Sequence, residues 1–274
     1  MNGIVAGYDG SPDSDRALRW AVLEARARGM TLTVCSVWDL ALPGETPAHE
    51  AARRHGADVL SRGLGYARSV LGADDGVVVP ALVRGSPAHV LCEQSAAAEI
   101  VVVGSRGLGG VRGLLIGSVP WQVASHARGP VVVVRGQRWP ANASPGPVVA
   151  GADGSGASRA AVTFACREAE LRGVPLVSVC AMADAPAVLG GARRLEEEFS
   201  RMMTEIEKEH PDLTVLRQVS PGSGRAELLR AATGAQLLVI GSRGRGGIDG
   251  MALGSVAQAV LQHSPCPVGV VRAA

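Results

Sequence analysis

Two segments of the chain carry a spacing that suits an anion. The first reads Gly104-Ser105-Arg106-Gly107, nine residues, then Gly117-Ser118-Val119. The second reads Gly241-Ser242-Arg243-Gly244, nine residues, then Gly254-Ser255-Val256. Glycine lets backbone N–H groups approach a phosphate with no Cβ in the way. Gly117-Ser118 opens the apolar-periodic run Val119–Ala127, so a helix N-terminus there would offer free N–H groups and a favourable dipole. The serine hydroxyl adds a donor, and Arg106 and Arg243 add positive charge. A strand-to-helix loop with glycine turns and an N-cap serine would explain one copy equally well. A plain loop need not keep Gly-x-x-Gly and Gly-Ser together twice, so the pair points to phosphate binding.

Asp9, in Asp9-Gly10-Ser11, and Asp153, in Asp153-Gly154-Ser155, form the second constellation. Each ends the first strand-like run of its half. If the first and fourth strands are neighbours, Asp9 faces Gly104 and Asp153 faces Gly241, at the carboxyl ends of the strands where open α/β sheets bind ligands. There an aspartate can hold a ribose hydroxyl or a Mg²⁺ ion. It can also cap the following helix or shape a turn with Gly10. Other phosphate motifs fail on residue identity. The only lysine is Lys208, inside a charged helix, so neither a Walker A loop nor a kinase-type lysine is present. A dinucleotide fingerprint fails because the third glycine position is Arg112 in one copy and Asp249 in the other.

An internal repeat positions these residues. The aspartate motif, the glycine segment and a closing strand, Pro130–Arg135 and Pro267–Arg272, recur in the same order. A period this long means two whole domains, 1–136 and 147–274, joined by a Pro/Gly-rich linker at 137–146. In the first half the strand candidates are Ile4–Tyr8, Leu32–Trp38, Val77–Val83, Ile100–Val103 and Val131–Val134. They are apolar on both parities, as strands buried on both faces of a parallel sheet are. The spacing predicts a helix over Asp13–Arg28, with Ser11-Pro12 at its start and Gly29 at its end. Ser86-Pro87 opens another, and Glu196–Glu209 reads as a charged helical face on the solvated surface. The alternation predicts an open α/β sheet in each half.

Composition narrows the function. Residues 1–146 hold 14 basic and 12 acidic side chains and residues 147–274 hold 13 of each, so neither half suits general nucleic-acid binding. No run approaches a membrane span, and no secretory signal is expected from Met1–Gly10. Five scattered cysteines without Cys-x-x-Cys suit reduced, buried thiols and a cytoplasmic location. The Asn142-Ala-Ser144 sequon then carries no weight. The lysine-poor, Ala-, Arg- and Gly-rich composition suggests a high-GC bacterial genome.

The repeated glycine segments and the strand-1 aspartates resemble the universal stress protein family in its tandem, ATP-binding form. The resemblance covers nearly all of the chain outside the linker. It implies a Rossmann-like, adenine nucleotide alpha hydrolase-like α/β fold: two tandem open five-stranded parallel sheets, order 3-2-1-4-5, flanked by helices. By position, the backbone at Val37 and Val179 would meet adenine. Asp9, Gly10, Ser11 and Asp153, Gly154, Ser155 would lie near ribose, phosphates or Mg²⁺, and the glycine loops with Ser118 and Ser255 would hold the phosphates of ATP. The family pattern often has a small hydroxyl residue where this chain has Pro120 and Ala257, so each site lacks one donor, and Pro120 also lacks an N–H. The ends of strand 2 differ, Trp38-Asp39 in one half and Cys180-Ala181 in the other, so both sites are expected to bind nucleotide with unequal affinity.

Three functions compete on this reading. One is a nucleotide-responsive stress or dormancy regulator without fast turnover. Another is a slow ATPase or phosphate-transfer enzyme, and the third is an interaction protein that has lost its ligand. No histidine neighbours either glycine loop in sequence, and His89 and His126 read as surface or packing residues, which favours the first. The family also pairs its last strands between domains or subunits, implying an internal pseudo-dimer or homodimer through Val131–Val134 and Val268–Val271.

Overall fold

The computed structural model describes residues 3–39, 46–72, 76–109, 115–136, 146–184, 190–245 and 252–273. The chain divides into two compact units, Met1–Arg135 and Gly136–Ala274. Linker residues 137–145, with the sequon, lie outside the described residues, as do Gly110 and Gly247.

The first unit runs β1 (Ile4–Gly7), α1 (Pro12–Arg28), β2 (Leu32–Trp38), α2 (Pro47–Leu71), β3 (Val78–Arg84), α3 (Pro87–Gln94), β4 (Ile100–Gly104), α4 (Ser118–His126) and β5 (Val131–Val134). Its strands are parallel, in the order β3-β2-β1-β4-β5. The second unit runs β6 (Val148–Gly151), α5 (Gly156–Arg172), β7 (Leu176–Ala181), a 3₁₀ turn (Met182–Asp184), α6 (Gly191–Glu209), β8 (Val215–Ser220), α7 (Gly224–Ala231), β9 (Leu237–Gly241), α8 (Ser255–His263) and β10 (Val268–Val271). Its order, β8-β7-β6-β9-β10, repeats that of the first unit. Both sheets therefore have the 3-2-1-4-5 order expected from the sequence.

Local chemistry explains the start and end of α1. Ser14 N–H donates to Ser11 Oγ at 3.2 Å, Pro12 takes the first helical position, and Gly29 ends the helix at φ 62°. Ala17, Ala21 and Ala25 are buried, so α1 packs close to β1 and β4. In the first unit α1 and α2 cover one sheet face, and α3 and α4 pack together on the other. The described residues contain no helix long and apolar enough to cross a membrane.

Three expectations change. Strands β1, β4, β6 and β9 are almost wholly buried, but β3 and β8 are not: Val79 is 40% exposed and Leu216 53%. Each of these two strands ends its unit's strand order with a neighbouring strand on one side only, and among the described residues of the first unit α2 is the one helix that packs extensively on β3. The charged segment Glu196–Glu209 is surface on one side alone. Leu195, Phe199, Met202, Met203 and Ile206 make a buried stripe along α6. Among the cysteines, Cys35, Cys166, Cys180 and Cys266 are buried thiols, whereas Cys92 is only partly covered.

Candidate nucleotide site

The site forms where strand order reverses. β1 pairs with β2 on one side and β4 on the other, with Ala6 opposite both Val34 and Val102. Chain crossovers therefore leave β1 and β4 toward opposite faces, and a crevice opens above their carboxyl ends. In the first unit this crevice is a cavity of about 430 Å³. Asp9, Val37, Gly104, Arg106, Gly107, Gly117, Ser118 and Val119 line it. Gly10, Ser11 and Ser105 stand outside the lining and shape its rim. Gly10 has φ 79°, Ser11 Oγ donates to the Arg106 carbonyl at 3.4 Å, and Ser105 Oγ donates to Asp13 Oδ2 at 2.6 Å.

Asp9 ties the rim together. Its Oδ1 accepts from Ser11 N–H and its Oδ2 from Leu108 N–H, each at 3.0 Å. The carboxylate thus shapes its own turn and fastens the glycine loop to the end of β1. The second unit repeats this: Asp153 Oδ1 accepts from Ser155 N–H at 3.0 Å and Oδ2 from Arg245 N–H at 2.8 Å. Among the described residues no three His, Cys, Asp or Glu side chains gather as a metal cluster.

The three glycines of each signature answer to different demands. A Cβ at Gly104 would stand 2.6 Å from the Asp13 backbone, so this glycine lets α1 approach β4. A Cβ at Gly107 would stand 2.5 Å from Asp9 Oδ2, and one at Gly244 would collide with Asp153 Oδ2. These are requirements of the fold. Gly117 is different. Its φ of −78° suits any residue, and nothing comes nearer to a Cβ there than 3.5 Å. Gly254 matches it, at φ −70° with the nearest atom 3.5 Å away. Each is the N-cap of its helix, so Ser118 and Ser255 are first helical residues and not the caps the sequence suggested.

The helix ends are open. Gly117 N–H is taken by the Ser105 carbonyl at 2.8 Å, and the intrahelical ladder begins with Trp121. Among the described residues the N–H groups of Ser118 and Val119 meet no acceptor, and Pro120 has no N–H to give. In α8 the ladder begins with Gln258, so Ser255, Val256 and Ala257 all offer theirs.

Sequence reasoning missed much of the cavity floor. Gly7, Tyr8, Cys35, Pro87 and Leu91 line it beside Val37. Tyr8 O–H donates to Asp15 Oδ1 at 2.8 Å. Burial and then that carboxylate push its phenol up to about 12, and burial pushes the Cys35 thiol up to about 11. The apolar runs in β1 and β2 were the available signal, but they do not say which strand ends face a crevice. Neither His89, whose Nε2 lies 3.3 Å from Glu93 Oε1, nor His126 lines the cavity.

The family description "Universal stress protein family" matches residues 1–135 and again 146–272. The chain belongs to the universal stress protein family. A universal stress protein of Mycolicibacterium smegmatis is 36% identical over 285 residues, covering 98% of this chain and 97% of that protein. Universal stress protein Rv2005c of Mycobacterium tuberculosis is 35% identical over 290 residues, covering 99% and 97%. A universal stress protein from Archaeoglobus fulgidus, solved by crystallography, shares the fold with a TM-score of 0.75 at 21% identity, covering 99% of this chain and 96% of that one.

The two universal stress protein units are not identical at the site. Arg245 stands where the first unit has Leu108, and its guanidinium bonds Glu198 of α6 and, at 3.4 Å, the Asp153 carbonyl. Ala157 stands where the first unit has Asp13.

Proposed function

We propose that each unit binds an adenine nucleotide, with ATP as the ligand, and that the protein is a nucleotide-responsive regulator of stress or dormancy with little or no turnover. One observation carries this reading. Gly117 and Gly254 are glycines that the fold itself does not require, placed at open helix N-termini in both copies. Glycine there keeps the approach clear for a group outside the chain, and a helix N-terminus with spare N–H donors favours a phosphate.

On this reading Gly104–Gly107 and Gly241–Gly244 frame the phosphates, with Arg106 and Arg243 as cations. Ser118, Val119, Ser255 and Val256 donate N–H groups to them. Val37 and Val179 meet the base. Gly10-Ser11 and Gly154-Ser155 hold the rim. Mg²⁺ enters with the phosphates, and Asp9 and Asp153 reach it through its water shell, since each carboxylate oxygen keeps a lone pair. The last strands β5 and β10, apolar and at the end of their unit's strand order, support pairing as a pseudo-dimer or homodimer. The buried thiols fit a cytoplasmic setting.

Mass spectrometry of protein purified without added nucleotide tests the reading, followed by calorimetric titration with ATP. Retained adenine nucleotide, a stoichiometry of two and negligible phosphate release are expected. A chain that carries no nucleotide and takes up none would overturn it.

A further inference from the structure

The first unit holds a carboxylate next to its phosphate loop that the second unit lacks. Asp13, at the second position of α1, is 6% exposed. Its Oδ2 accepts from Ser105 Oγ at 2.6 Å and lies 3.7 Å from Arg106 Nε, and its Oδ1 is paired with Arg16. The hydroxyl bond fixes the carboxylate facing the loop. Arg106 lines the cavity, so the cation available to a ligand already has an internal anion beside it.

The second unit removes that anion. Ala157 occupies the matching place, packed against Gly241. Arg243 matches Arg106, and among the described residues it has no ion-pair partner. Arg245, the other cation of that loop, is engaged by Glu198.

We propose that Asp13 is a specificity-determining residue of the first site: by holding Arg106 and adding negative charge, it lowers that site's preference for triphosphates over monophosphates relative to the second. The proposal rests on the nucleotide reading above. A carboxylate near a ligand repels each added phosphate charge, so its effect grows along the series from AMP to ATP. Loss of packing alone would weaken both ligands alike.

The test is calorimetric titration with AMP and with ATP, using Gly254→Val to isolate the first site and Gly117→Val to isolate the second. In the first site, Asp13→Asn keeps the shape and the contact to Ser105. It should tighten ATP about fivefold and AMP by less than about twofold. With Arg106→Ala also present, the part of that gain that comes from releasing the guanidinium should vanish, while the part that comes from lost repulsion should remain. In the second site, Ala157→Asp should lower the ATP-to-AMP affinity ratio by a similar factor, which keeps the proposal testable if Asp13→Asn folds poorly. Nucleotide binding with unchanged ratios in both variants overturns the role of Asp13 and leaves the nucleotide reading intact. Failure of the wild-type chain to bind either nucleotide overturns both.

Discussion

At the scale of single residues, the signature glycines separate into those that serve the fold and those that leave space. This gives an opposed pair of expectations. Gly117→Val should remove one bound ATP of two while thermal unfolding shifts little, because a Cβ there meets Arg106, Pro120 and Ser105 at no less than 3.5 Å, ordinary van der Waals contact, and the φ of −78° suits any residue. Gly107→Ala should instead lower stability by roughly 1–3 kcal/mol, since its Cβ meets the Asp9 carboxylate. A thermal melt and an ATP titration on each variant check both, and a strongly destabilised Gly117→Val chain would refute the assignment. Tyr8 gives a pH expectation. Its phenol is held up to about 12, against an ordinary 10, by burial first and Asp15 second. The folded state thus keeps a proton that the unfolded chain releases earlier. The stability from this group is complete below pH 10 and is lost as pH rises through about 12. Ultraviolet titration should show one late-ionising phenol that disappears in Tyr8→Phe.

The element scale shows what patterning can and cannot convey. In α6 the charges dominate the sequence, yet its buried side carries Phe199 and Ile206. Phe199→Ala should cost about 3–5 kcal/mol, measured by denaturant unfolding, and a change near zero would mean a solvated helix after all. Strands β1, β2 and β4 and helix α1 were legible because β-branched runs, a serine cap and a terminal glycine each have a local cause. Helix α2 was not, because glycines interrupt its periodicity. Their reason lies elsewhere in the chain: a Cβ at Gly63 would stand 2.7 Å from the Tyr8 ring, and one at Gly56 would stand 3.1 Å from Trp38. The exposure of β3 and β8 was hidden for a related reason, since strand composition does not state how many neighbours a strand has. At the site, the aspartates, the glycine spacing and the arginines could be read directly. The contact between Asp13 and Ser105 could not, because 92 residues separate the two.

For the whole molecule, the two units repeat the same frame with different fittings. Both keep the aspartate bridge and the glycine N-cap. The first has Pro120, Asp13 and Leu108 where the second has Ala257, Ala157 and Arg245. The first helix end offers one N–H fewer, and its arginine has a carboxylate beside it. ATP should therefore bind in two resolvable steps, the tighter one belonging to the second unit. Titrating the wild type beside the Gly117→Val and Gly254→Val chains assigns the steps, and a single class of equal sites would contradict the order.

The bridge from Asp9 to the glycine loop also constrains how the chain can change. Gly107→Ala collides with the carboxylate only while Asp9 is there. Asp9→Ala removes the obstacle, at the expense of two backbone donors left to water. The two positions are therefore epistatic: the second substitution costs less once the first is made, so the pair should be less damaging than the sum of its parts. Because this coupling is reciprocal, each substitution costs less once the other is made, and the same holds for Asp153 and Gly244.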